Sequence, residues 1–270
     1  MKRFLKISIM SIAIGLVFCF LGWKNNGIQS MTIDKHFVPK IVKYTHKKTD
    51  LKSFTAIKGN LSGYYVHIVS GDKPTVRYTG QAQSAPHFKI KDGQLIVTQK
   101  NKNYKNMVSA KDVPNELFIT VPSSTSLKSL DWTLKNDDLV LKNLHVKKTK
   151  LNLTNGYYWA YQSSLGKVMS IAGQVSLHQV RLSNGSTFTQ DGAFKMVGGS
   201  YQGHIKVHTG YVNQLYGLNK NDGYTLHVGS SDGENIWYGK KAHTDIIKNP
   251  QATNQIYLYT KDFTNRVDHQ

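Results

Sequence analysis

Leu151-Asn152-Leu153-Thr154-Asn155-Gly156-Tyr157-Tyr158-Trp159-Ala160-Tyr161 decides the fold. Two leucines flank a polar residue, an Asn-Gly pair follows, and alternation resumes through a run in which only Ala160 is not aromatic. A period of two places successive side chains on opposite faces of an extended strand. Asn-Gly supplies the positive φ of a sharp corner. The stretch therefore reads as strand, corner, strand. Tyr157, Trp159 and Tyr161 share one face, and Tyr158 and Ala160 share the other.

The same grammar extends in both directions. Val66 and Ile68, Val76 and Tyr78, and Leu117, Ile119 and Val121 alternate with their neighbours before it; Val180 and Leu182, Ile205 and Val207, and Ile256 and Leu258 do so after it. Corners fall at Asp92-Gly93, Asn184-Gly185, Asp191-Gly192, Gly198-Gly199, Asp222-Gly223 and Asp232-Gly233. From residue 51 onward no stretch carries a helical stripe. Strands of roughly ten-residue spacing build a sandwich, a barrel or a solenoid. Between about residues 127 and 228 each strand shrinks to two alternating apolar positions and a corner, which suits coils stacked on one another. The fold expected is all-β, a β-helix-like solenoid, with residues 51–121 as longer strands in an N-terminal sheet that opens the stack. A two-sheet β-sandwich is the alternative.

The order Phe54-x-x-Ile57, Gly63-Tyr-Tyr-Val-His-Ile68 and Gly71-Asp72, Asp92-Gly93-x-Leu95-Ile96-Val97, Leu117-Phe-Ile119-Thr-Val121-Pro122 and Leu-x-Leu-x-Asn-Gly at 151–156 resembles the putative-adhesin family of β-strand-repeat proteins. That family is common in Gram-positive bacteria and long filed as a domain of unknown function. The resemblance implies a cell-envelope protein, often with one N-terminal membrane segment and in some members tied to envelope-stress systems. It transfers no catalytic residue.

Residues 7–23 contain 17 residues without a charge, preceded by Lys2, Arg3 and Lys6. As a helix this run spans roughly 26 Å, close to the lower limit for a bilayer core of about 30 Å. The positive flank keeps the N-terminus cytoplasmic and sends the rest outward. Residues 1–23 are therefore expected to form a transmembrane helix, an uncleaved signal-anchor. Residues 24–50 read as a membrane-proximal spacer and 51–265 as the strand-repeat domain. Secretion after signal-peptide cleavage is the alternative, although the run from Phe18 to Trp23 offers no pair of small residues at a cleavage spacing. Cys19 lies in the apolar run and is the single cysteine, so no intrachain disulfide is possible.

The formal charge is +19, and without Lys2, Arg3 and Lys6 the chain still has 32 basic against 16 acidic residues. Such a field attracts polyanions. Nearly all of it is lysine, a point charge without the bidentate fork of arginine. Lys150, Arg181, Lys195 and Lys206 occupy between-apolar positions of successive strands, and a solenoid would point them outward as a basic ladder. Anionic wall polymers or acidic glycans are the partners this predicts. The compartment and the lack of a reading motif argue against nucleic acid. The Tyr157, Trp159 and Tyr161 face offers flat rings to a sugar or to a neighbouring membrane protein, as a regulatory or scaffolding partner would need.

Other chemistry finds little footing. His204 and His208 share a strand face but lie about 13 Å apart, too far for one metal. Asp137-Asp138 reads as a corner, not a catalytic pair. The sequence therefore predicts a non-enzymatic protein without metal or cofactor.

Overall fold

The computed structural model describes residues 2–24, 31–33, 39–99, 107–108, 114–135 and 137–269. Among the described residues one α-helix, Lys2–Lys24, precedes a succession of strands interrupted by a short 3-10 helix, Ala82–Ser84. Met10, Ile12, Phe18 and Phe20 project from the α-helix unburied. Lysines stand at both ends of the helix, and among the described residues no helix is long and apolar enough to cross a membrane. Of the expected transmembrane helix the structure bears out the helix and not the crossing.

The rest winds into coils that stack in parallel. One broad face is the ladder Gln94–Thr98, Ala56–Ser62, Ser129–Lys135, Lys148–Thr154, Ser164–Ala172, Ser186–Gln190, His204–Thr209, Gln255–Thr260 and Gly223–Val228. The opposite face is the ladder Glu116–Pro122, Tyr65–Gly71, Leu139–Lys142, Tyr157–Tyr161, Gln174–Leu182, Phe194–Tyr201, Val212–Tyr216, Thr264–Asp268 and Glu234–Trp237. Every neighbouring pair in both ladders is parallel, whereas a sandwich of sequential hairpins would alternate direction. A short third side closes each turn, with Ser126 beside His145 and His145 beside Ser164.

The register has a step of 19 residues. Leu130 sits on Thr149, Thr149 on Val168, and Ser186 on Ile205. On the opposite face Leu139 sits on Tyr158 and Val175 on Phe194 by the same step. Tyr158 to Val175 takes 17 residues and Met169 to Thr187 takes 18. These short steps make the repeat irregular to the eye.

Inward side chains stack as columns. One runs Gly59, Trp132, Leu151, Ser170, Phe188, Val207, Leu258 and Leu226, and all of these are buried. Each large aliphatic or aromatic side chain so buried contributes roughly 1.5–3 kcal/mol. The column also explains why Gly59 interrupts an apolar strand: a Cβ there would lie 2.5 Å from the Trp132 ring. A second glycine series makes one corner. A Cβ on Gly173 would meet the Gly156 carbonyl oxygen at 2.8 Å, and one on Gly192 would meet that of Gly173 at 2.1 Å. Their amides instead donate up the stack, Gly173 to Gly156 at 2.9 Å and Gly192 to Gly173 at 2.8 Å.

The ends of the stack differ from its middle. The strands of residues 51–121 do not form a separate opening sheet: Ala56–Ser62 and Tyr65–Gly71 already belong to the two faces. Tyr44–Asp50, inside the expected spacer, is an antiparallel edge strand on Thr75–Gln81. It buries almost no side chain, so its sequence carries no apolar alternation. At the far end Ile205 pairs with Ile256, a step of 51 residues, and Gln255–Thr260 lies between His204–Thr209 and Gly223–Val228. There a buried asparagine ladder joins three coils, with Asn213 Nδ2 donating to Asn265 Oδ1 at 2.7 Å and Asn265 Nδ2 to Asn235 Oδ1 at 2.8 Å. Antiparallel strands rich in lysine, among them Tyr44–Asp50, His87–Lys91 and Lys240–Ala242, guard the sheet edges against pairing with another chain.

Candidate functional site

Lys150, Arg181, Lys195 and Lys206 are all exposed, but they do not form one ladder. Lys150 and Lys206 lie in a single outward column of the first face, which runs Lys58, Asp131, Lys150, Met169, Thr187, Lys206. Three coil steps separate them, about 14 Å at the usual strand spacing. Lys195 stands on the opposite face, level with Ser176 and Gln214. Arg181 lies near the third side, beside Ser164 and Ser200. Strands consecutive in sequence belong to different sides of a coil, so positions equivalent within successive strands are not neighbours in space. Spatial neighbours are one whole coil apart.

That rule assembles a basic hollow around Lys150. Lys148 is in register with Lys167 on the next coil, and Lys58 follows Asp131 in the column of Lys150. The four lysines, with Asp131 and Met169, line a hollow of about 510 Å³ on the first face. All four lysines are exposed, and among the described residues none is ion-paired. Asp131 is the lone carboxylate of the lining. Four mobile ammonium groups over an open, partly apolar floor suit a flexible, multiply charged anion better than one fixed phosphate. Reading strand by strand misses Lys58, Lys148 and Lys167. The spacing of Lys148 and Lys167, one coil length, is the signal that finds that pair.

Tyr157, Trp159 and Tyr161 do share the outward side of their strand, while Tyr158 and Ala160 fill the core. Tyr157 stacks on Trp159 with ring centres 5.3 Å apart and planes within 10°. Tyr161 stacks on His178 of the next coil at 5.2 Å. Burial and the charge of Lys195 hold His178 below the usual imidazole range. Across the coils Trp159 is level with Ser176 and Ser176 with Lys195. Ser176 and Ala193 are small, so the sheet surface dips there into a hollow of about 260 Å³ edged by Tyr157, Trp159, Gln174, Lys195 and Gln214. The Lys195 ammonium lies 5.7 Å from the centre of the Tyr216 ring.

The carboxylates near the corner serve the backbone. Asp137 accepts the amides of Gly63 at 2.5 Å and Tyr64 at 2.6 Å, and Asp138 accepts that of Tyr157 at 3.1 Å. These bonds run between coils, and the purely local turn expected of Asp137-Asp138 is replaced by long-range capping. Burial pushes the Asp137 carboxyl up to about 7, against the pull of its two amides. His204 and His208 are both exposed on one strand, and His208 packs against Tyr257 and Tyr259. Among the described residues no three His, Cys, Asp or Glu side chains are grouped to hold a metal ion.

No curated protein matches the chain. Among solved structures, a putative cell adhesion protein from Clostridium sporogenes is 14% identical, with 84% of this chain and 100% of that one covered and a TM-score of 0.36. A putative adhesin from Parabacteroides merdae is also 14% identical, covering 84% and 96% with a TM-score of 0.45. A protein described as a putative lipid binding protein, from Parabacteroides distasonis, is 10% identical, covering 84% and 96% with a TM-score of 0.34. The family model named Toastrack DUF4097 matches residues 55–248, which is most of the coil stack, and the chain belongs to that family.

Proposed function

We propose that the chain is a non-enzymatic protein of the cell surface that holds anionic wall or surface polymers against its lysine face. The observation that carries this reading is the hollow where Lys58, Lys148, Lys150 and Lys167 converge without acidic partners of their own. The excess of basic over acidic residues adds a long-range field that draws a polyanion toward that hollow. Asp137 and Asp138 are not free for acid-base work, since both hold backbone amides. The location belongs to the same proposal. The helix Lys2–Lys24 lies at the lipid side of the envelope through its exposed apolar side chains, and the coil stack faces outward.

Attraction between exposed charges is screened within about 10 Å at 0.1 M salt and about 3 Å at 1 M. Adsorption of the purified full chain to isolated cell wall is therefore expected to fall steeply as salt is added. It should also fall when anionic polymers are stripped from the wall beforehand. Adsorption that ignores both treatments would sink the reading.

A further inference from the structure

We propose that the opposite face carries a second, separate site, which binds a neutral pyranose chain in the hollow beside Tyr157 and Trp159. The lining is what points to sugar. A pyranose ring has an apolar C–H face and a rim of hydroxyls, and it needs an aromatic surface next to uncharged donors and acceptors. The hollow supplies both: the Tyr157 and Trp159 rings on one side, and the side-chain amides of Gln174 and Gln214 with the Ser176 hydroxyl on the other.

The stack also fixes the direction of the chain. Trp159, Ser176, Lys195 and Gln214 follow one another across successive coils, so Trp159 and Lys195 are about 10 Å apart at the usual strand spacing. That is room for two linked rings, one on the indole and the next over Ser176, with Lys195 and Gln214 donating to hydroxyls at the far end. The rings are held for this role. Tyr157 and Trp159 lean on each other at 5.3 Å, and the inward Tyr158 and Ala160 anchor their strand in the core. The loss of side-chain freedom on binding is correspondingly small. The site is independent of the lysine face, because the two lie on opposite ladders of the coil stack.

The test is calorimetric titration of the full chain with N-acetylglucosamine hexamer and with cellohexaose at about 1 M salt, where the lysine face is screened. Binding of at least one oligosaccharide is expected. Trp159→Ala and Tyr157→Ala should each weaken it by about tenfold or more, as truncation of an aromatic anchor does. Both side chains point outward, so circular dichroism should show these variants folded. Lys58→Glu with Lys150→Glu should leave the oligosaccharide affinity unchanged while reducing adsorption to wall, which separates this site from the one proposed above. Failure of the wild type to bind either hexamer at millimolar concentration overturns the inference. So does binding that the Trp159 and Tyr157 variants leave intact.

Discussion

The two broad faces of the stack are built on one core and one 19-residue register, yet their outward columns have opposite character. Lys58, Lys148, Lys150 and Lys167 gather on the first. On the second, Arg77 lies 4.3 Å from the Phe118 ring, Phe118 stacks on His67 at 4.3 Å, and Tyr157 stacks on Trp159. The difference teaches that a coil stack separates stability from surface chemistry. Inward columns must interdigitate, so they accept apolar residues and a few polar ones. Outward columns are constrained only by their neighbours one coil away. Positions there recur at about 4.8 Å intervals, and the face takes the character of the side chains that fill them.

The largest effect expected is on the first face alone. Reversing Lys58, Lys148, Lys150 and Lys167 to Glu should lower adsorption to isolated wall by about a hundredfold or more at low salt, since each reversal exchanges attraction for repulsion. The melting temperature should barely move, because these side chains are exposed. A variant that keeps wild-type adsorption would erase the distinction between the faces. Next comes a change that should damage both faces equally. Gly59→Ala drives a methyl group into the buried Trp132 ring, and denaturant unfolding should register a loss of about 1–3 kcal/mol. Loss of binding on one face only would show that the core does not couple them.

The third expected effect concerns pH. Asp137 titrates near 3.8 when unfolded and is pushed up to about 7 in the fold. Between those values the folded chain holds a proton that the unfolded chain has released, so its contribution to stability falls as pH rises from about 4 to about 7 and is level beyond. Asp137→Asn should flatten that slope in unfolding curves taken across the range. It should also cost about 1–3 kcal/mol at low pH, because its amide group opposes one of the two backbone donors. A slope identical to wild type would remove Asp137 as its source.

Much of this was legible from alternation. Leu151 and Leu153 inward with Asn152 outward, and Tyr158 and Ala160 inward beneath Tyr157, Trp159 and Tyr161, follow from a period of two and hold in the fold. Which strands share a face was not legible. The inward column Trp132, Leu151, Ser170, Phe188 and Val207 repeats a position without repeating a residue type, so the 19-residue step leaves no motif. That hid the meeting of Lys58, Lys148 and Lys167 with Lys150, and it made Lys195 and Arg181 look like members of the same ladder. Tyr44–Asp50 stayed hidden because it pairs through backbone at an edge. The asparagine ladder was out of reach because Asn213 and Asn265 are 52 positions apart and Asn265 and Asn235 are 30 apart.

The displaced strand Gln255–Thr260 has a consequence for how the molecule is made. Turns from residue 129 to residue 216 can settle in the order in which they are made, each on the one before it. The segment Gly223–Val228 emerges next but has no bed on that face until Gln255–Thr260 slides in between it and His204–Thr209. For the time it takes to deliver those intervening residues the growing rod has a bare, sticky tip. A late strand then threads the gap and fastens it, as a clasp fastens a chain already strung.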